Sequence, residues 1–94
     1  MTGRKVVVGP DVSRQLGALL ADAEGVAFVL GELRENLHRR PDEYRLNRDD
    51  REPDFLFIVP IRTRLRGRWR FVRFAVNDTT SPDHFIVEAV SVSG

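Results

Sequence analysis

Residues Pro60 to Asn77 read PIRTRLRGRWRFVRFAVN, and the rest of the chain is organised around them. The stretch holds six arginines, Arg62, Arg64, Arg66, Arg68, Arg70 and Arg73, and no acidic residue. Gly67 stands in its middle, and the residues on either side alternate as strand residues do. The expectation is a β-hairpin turning near Gly67, with arginines projecting from both arms. Strand side chains point to opposite faces in turn. Arg62, Arg64 and Arg66 therefore share a face at a spacing of roughly 6.6 Å. On the return arm Arg68 and Arg70 share one face, continued by Val72, Phe74 and Val76. Trp69, Phe71, Arg73 and Ala75 hold the other. This pattern suits a central strand whose end near the turn is solvated. Guanidinium groups without a local counter-charge repel one another unless water, salt or an anionic partner screens them. Two readings follow. One is a solvated sheet face in an arginine-preferring protein. The other is a phosphate-binding ridge, since guanidinium makes bidentate contacts with phosphate oxygens.

Ninety-four residues make one domain, 1–94. A hydrophobic content of 41% suffices for a small core built from one layer of helices on one sheet. The absence of cysteine excludes disulfides, thiolate metal sites and cysteine nucleophiles, and agrees with a reducing compartment. No apolar run approaches the roughly 20 residues that span a bilayer, and Met1 to Pro10 lacks the apolar core of a signal peptide. A soluble cytoplasmic protein is expected. The net charge of +1 hides an uneven distribution. Residues 55–76 carry the six arginines and no Asp or Glu, whereas residues 77–94 carry Asp78, Asp83 and Glu88 and no Lys or Arg. The local field therefore says more than the overall balance. Lys5 is the single lysine among fifteen basic residues. That bias weakens any argument from arginine count alone.

Upstream, Val6, Val7 and Val8 form a β-branched run ended by Gly9-Pro10, the first expected strand. Asp11 stands where an N-cap would accept orphan backbone amides. Val12, Leu16, Leu19, Leu20 and Ala23 recur at helical spacing, and this helix is expected to end at Glu24-Gly25. Val26, Val29, Leu30, Leu33 and Leu37 mark one face of a second helix. Gly25 either separates two helices or kinks one, and an α-hairpin is the preferred reading. Gly31, inside the second helix, costs roughly 1 kcal/mol relative to Ala. It either permits close approach to the sheet or first helix or is a tolerated surface glycine. Asp42 to Asp54 is strongly polar and reads as a surface loop. Phe55 to Val59, FLFIV, is a strand covered at least partly on both faces, and Pro60 implies an edge position or a bulge. After the hairpin, NDTTSPD (Asn77 to Asp83) is a turn sequence. Phe85 to Val92 is the last strand. Phe85, Val87 and Ala89 share one parity there, and Ile86, Val90 and Val92 the other, with Glu88 between them. The fold class is α+β in the order βααβββ, with an antiparallel meander and a two-helix hairpin on one face. The other face would carry many of the arginines.

Little other chemistry is present. His38, at a helix C-terminus where an imidazolium is favoured, and His84, opening the last strand, form no metal-ligand spacing. Both read as structural or surface residues. Asp49, Asp50, Glu52 and Asp54 lack the glycine and ligand alternation of a calcium loop and read as a solvated patch. No dinucleotide fingerprint or phosphate-cradling glycine loop appears, and no cofactor or metal is expected. Trp69 and Tyr44 have the composition of base-stacking residues beside basic ones. For Trp69, packing under the hairpin is the favoured alternative.

The element order and the stretch GRWRFVRFAVNDTTSPDHFIVEAVSV resemble the core of RelE/ParE-type toxins of bacterial toxin–antitoxin pairs. Those commonly show a glycine, an aromatic, an arginine, an apolar-rich strand, an acidic turn and a last apolar strand. Here these are Gly67, Trp69, Arg70, Phe71 to Val76, Asn77-Asp78 and Phe85 to Val92. Leu37 to Pro41 is similar to the family's helix end. The resemblance implies, for the RelE branch, ribosome-dependent mRNA cleavage. Arg70 would then bind or activate the scissile phosphate, and Arg62 and Arg64 would contact RNA. Positive charge there would stabilise the developing phosphorane. The family's last strand is normally followed by a basic residue and often a Tyr or His acting in proton transfer, whereas Val92 is followed by Ser93-Gly94. That departure leaves three readings: a shortened or degenerate member, a ParE-like binder of another target, or an unrelated protein of similar architecture. Arg66, Arg68, Arg73 and Trp69 complete the candidate RNA- or partner-binding set. The implied partners are an antitoxin or other acidic protein and RNA or the ribosome, with self-association a further option. The rival reading is a non-enzymatic module whose basic face docks an acidic partner segment, through its strand edges as well.

Overall fold

The computed structural model of the chain describes residues 4–46, 56–79 and 82–93. Along it run β1 (Lys5–Val8), α1 (Pro10–Leu20), α2 (Ala23–Arg39), α3 (Pro41–Leu46), β2 (Leu56–Leu65), β3 (Arg68–Asn77) and β4 (His84–Ser93). The expected βααβββ order holds, with one short helix added.

The hairpin forms as the sequence indicates. β2 and β3 pair antiparallel along their whole length, from Leu56 opposite Asn77 to Leu65 opposite Arg68. Arg66 and Gly67 make the turn with φ of 54° and 79°. Two successive positive φ values give a two-residue turn whose twist matches that of the strands. Glycine adopts this geometry freely, while Arg66 holds it against the clash of its own Cβ. Leu56 to Val59 and the arginine arm are one continuous strand through Pro60. Pro60 is tolerated because β2 lies at the sheet edge, where half of the backbone N–H groups need no ladder partner. Phe55 lies outside the described residues.

The sheet order is β1-β4-β3-β2. β2, β3 and β4 form the expected antiparallel meander, but β1 pairs parallel to β4, so the sheet is mixed. The helices carry the chain from one edge strand, β1, across to the other, β2. Two reversals then bring β4 back beside β1 in the same direction. Arg4 pins this junction, donating from its guanidinium to the Asp78 and His84 carbonyls at 2.7 and 2.6 Å and lying 4.3 Å over the Phe85 ring.

The conflicting parity of β4 is resolved by a bulge. Val76 lies opposite Val87, but Ala75 lies opposite Ala89, so Glu88 is the extra residue. The slip turns Val90 and Val92 to the face already occupied by Phe85 and Val87. All four then meet Val72, Phe74 and Val76 of β3 and Phe57, Val59 and Ile61 of β2 beneath the helices. On the other face, Asn77 donates to Glu88 at 3.1 Å and accepts from the Thr79 backbone N–H at 2.9 Å, which fixes the start of the following turn.

The helices differ from the expected boundaries in three places. α1 begins at Pro10, with Gly9 as N-cap, and Asp11 is a first-turn residue that makes an exposed ion pair with Arg14 rather than a cap. α1 ends at Leu20, where Ala21 takes a left-handed conformation, so the break lies at Ala21-Asp22 and not at Gly25. Asp22 accepts from the Glu24 and Gly25 amides at 3.2 Å each and caps α2. Gly25 fits because a Cβ there would stand 3.1 Å from the Asp22 carboxylate. Residues 42–46, expected as the start of a surface loop, fall within α3. Pro41 presets the first helical φ, and Asp42 and Glu43 complement the N-terminal dipole. Asp49, Asp50, Glu52 and Asp54 lie outside the described residues.

Leu16 and Leu20 of α1 and Val29, Leu33 and Leu37 of α2 cover one sheet face, and together with the inward strand residues they form a single buried cluster. Gly31 faces open space, so it mediates no close approach. Among the described residues no helix is long and apolar enough to cross a membrane.

Candidate functional site

All the described helices lie on one side, and among the described residues nothing covers the opposite sheet face. The register lays out what stands on it. Arg64 is opposite Trp69, Arg62 is opposite Phe71, and Arg73 is flanked by Pro60 and Ser91. Ile58, Ala75 and Ala89 extend the face toward the other end of the sheet. Trp69 is 55% exposed and Phe71 43%, so two large aromatic rings present themselves to solvent side by side on one strand. They are two residues apart, a rise of roughly 6.8 Å. The expectation that Trp69 packs under the hairpin is therefore overturned. Its odd position puts it on the face without helices, and the core below the hairpin is filled by Ile61 and Val72 instead.

The arginines of this face are arranged around the rings. The Arg62 guanidinium lies 4.5 Å from the centre of Trp69, and that of Arg64 lies 5.5 Å away. Arg64 also donates to the Gly67 carbonyl at 3.0 Å, which ties its side chain over the turn. Direct and diagonal cross-strand neighbours of an antiparallel pair make these contacts. Among the described residues, none of the six hairpin arginines makes an ion pair. Glu88 is the one acidic side chain contributed to this face by the strands, and it sits at the bulge, bonded to Asn77.

The six arginines do not act from one surface. Arg62, Arg64 and Arg73 share the uncovered face with Trp69 and Phe71. Arg68 and Arg70 point to the helix side, beside Leu65 and Val92, and Arg66 at the turn joins them. Arg70, the residue matched to a phosphate-activating arginine by the RelE/ParE resemblance, is half-buried on that side. A single phosphate site combining it with Arg62 and Arg64 does not form, because one residue of strand parity separates the two sets.

Comparison with family models, curated proteins and solved structures returns no match.

The other residues singled out by sequence stand elsewhere. His84 opens β4 at the end of the sheet far from the hairpin turn. His38 lines a shallow groove of about 570 Å³ between β1 and α2 with Arg4, Arg34 and Glu35, and Glu35 is engaged by Arg39 at 2.6 Å. Tyr44 packs on α3 against the core, and this burial pushes its hydroxyl above the usual tyrosine pKa of 10.0, partly opposed by the Arg40 charge. It is not on the face with Trp69. Among the described residues no cluster of His, Asp and Glu has the form of a metal site. Phe71 is the site residue that sequence reading passed over. Its place between Trp69 and Arg73 on one parity was the signal, masked by the apolar character of Phe71 to Val76.

Proposed function

We propose that this chain binds single-stranded RNA on its uncovered sheet face. Trp69 and Phe71 stack on bases, and Arg62, Arg64 and Arg73 hold the phosphates. The observation that carries the reading is the pair of exposed aromatic rings on a sheet face that no described helix covers, framed by cross-strand arginines that make no ion pair among the described residues. A core-forming sheet has no use for this combination. Exposed rings cost hydration and like charges cost repulsion, and stacked bases with their phosphates relieve both. Splayed bases take the π-faces in a sequence-tolerant way, while guanidinium forks take the phosphate oxygens.

The resemblance to RelE/ParE-type toxins supplies a biological setting for that RNA, namely messenger RNA on the ribosome. The proposed activity is binding, because among the described residues no histidine, carboxylate or tyrosine able to move a proton stands beside the rings. An acidic protein segment is the competing occupant, and it is separated by its indifference to the rings' stacking ability.

The test is a fluorescence-anisotropy titration of a 12-nucleotide single-stranded RNA with the full chain and two variants. Arg62→Gln/Arg73→Gln is expected to weaken binding at least tenfold, and Arg68→Gln to leave it within about twofold. Equal effects of the two variants, or no binding by the unmodified chain, would overturn the assignment of the face.

A further inference from the structure

On the helix side of the hairpin tip, Arg66, Arg68 and Arg70 line a groove of about 490 Å³ whose remaining wall is built by Leu19 of α1, Leu65 of β2 and Val92 of β4. Nothing in the RNA reading uses it, since strand parity turns these arginines away from Trp69 and Phe71. We propose that this groove is a separate site for a small phosphate monoester with an aliphatic body. The dianionic phosphate is held by the three guanidinium groups, and the apolar part lies against Leu19, Leu65 and Val92.

Three features lead to that ligand class. First, Arg66 at the tight turn and Arg68 and Arg70 at successive inward positions of β3 line one groove. No acidic side chain lines the groove, and none of the three makes a hydrogen bond or ion pair among the described residues. Three cations gathered this way repel, and a dianion with several acceptor oxygens compensates them where a single carboxylate would leave most of the charge unmet. Second, the site is anchored rather than loose. Arg68 and Arg70 rise from β3 where it is paired with Leu65 and Thr63 of β2, and Arg70 is half-buried. Third, the wall opposite the charges is aliphatic. Leu19 is among the few large apolar side chains left exposed, and no aromatic ring lines the groove to favour a base. The volume lies in the range of about 300–1,000 Å³ typical of small-molecule sites.

The experiment follows the arginine Nε–H signals of the ¹⁵N-labelled full chain by NMR at constant ionic strength. The probes are inorganic phosphate, hexyl phosphate, hexanoate and hexanol. The expected result is that hexyl phosphate moves the Arg66, Arg68 and Arg70 signals saturably and binds about tenfold tighter than inorganic phosphate. A tenfold gain corresponds to about 1.4 kcal/mol, or burial of roughly 55 Å² of alkyl surface. Hexanoate is expected to bind far more weakly and hexanol not at all. Arg68→Gln should weaken hexyl phosphate at least fivefold, and Arg62→Gln should not change it. Arg68 is exposed, so its variant keeps the fold. Shifts of equal size for phosphate and hexanoate, or shifts spread equally over Arg62 and Arg73, would overturn the proposal. The RNA reading depends on Arg62, Arg64 and Arg73 and on RNA as probe, so the two proposals fail independently.

Discussion

Trp69 is the only tryptophan in the chain, which lets one substitution test the stacking half of the RNA proposal. Consider Trp69→Ala. The ring is more than half exposed and belongs to no part of the buried cluster, so its removal opens no cavity. What the folded chain loses is the pair of contacts with Arg62 and Arg64 at 4.5 and 5.5 Å. Exposed cation–π contacts contribute about 0.5–1 kcal/mol each, so the stability loss by urea denaturation should stay below about 2 kcal/mol. A base stacked on the ring contributes about 1–3 kcal/mol, so the RNA dissociation constant should rise about 5- to 150-fold. Trp69→Phe retains a π-face and should recover most of that loss. In the unmodified chain, saturating RNA should quench tryptophan fluorescence, because the indole becomes sandwiched between a base and the sheet. The reasoning is refuted if Trp69→Ala binds RNA within twofold of the unmodified chain, or if saturating RNA leaves the fluorescence unchanged.

Other consequences concern the frame that holds the face. Asp22→Ala removes both cap bonds to α2 and should cost about 1 kcal/mol in urea denaturation, with the RNA affinity unchanged. Arg66→Asn places a residue suited to left-handed φ at the first turn position and should stabilise the hairpin by about 0.5–1 kcal/mol in a thermal melt; a loss would mean that the Arg66 side chain stabilises the tip. Leu33→Ala, at a position with no exposure, should cost about 2–5 kcal/mol by the same denaturation measurement. Tyr44, the sole tyrosine, has its hydroxyl pKa raised by burial, so the folded chain keeps that proton longer than the unfolded chain. Its contribution to stability is intact below pH 10.0 and is lost as pH rises from there through the folded value. Ultraviolet titration of the native chain should therefore give a midpoint above 10.0, falling to the ordinary value in urea.

The elements that could be read in advance are those with strong local patterns. The hairpin about Gly67 follows from alternation on both arms, and α2 follows from the recurrence of Val29, Leu33 and Leu37. What stayed hidden depends on relations between distant residues or on one-residue choices. The parallel pairing of β1 with β4 leaves no mark on either strand, since a short apolar run is compatible with pairing in either direction. The Glu88 bulge showed only as a clash of parity in β4, and nothing local says which side yields. The break at Ala21-Asp22 was obscured because Ala23 fits the apolar spacing of α1 while Gly25 looks like the punctuation. Asp22 decides the matter by capping. Residues 42–46 looked like loop because a six-residue helix bears too few apolar positions to show a period. For the site, the arginines were plain in the sequence, but not their division. Alternation within each arm assigns relative faces, and only the register across Arg66-Gly67, with the helices in place, says which face is open.

The proposed neutralisation of RNA phosphates by Arg62, Arg64 and Arg73 on the open face is read out by the salt dependence of binding. Each phosphate neutralised on a single strand contributes a slope of about −0.7 to the plot of log affinity against log salt. Three arginines therefore predict a slope of about −2 for a single-stranded RNA. Arg73→Gln is predicted to lower it to about −1.4, and Arg68→Gln to leave it at about −2. A slope near zero, or one that Arg68→Gln reduces and Arg73→Gln does not, would contradict the account.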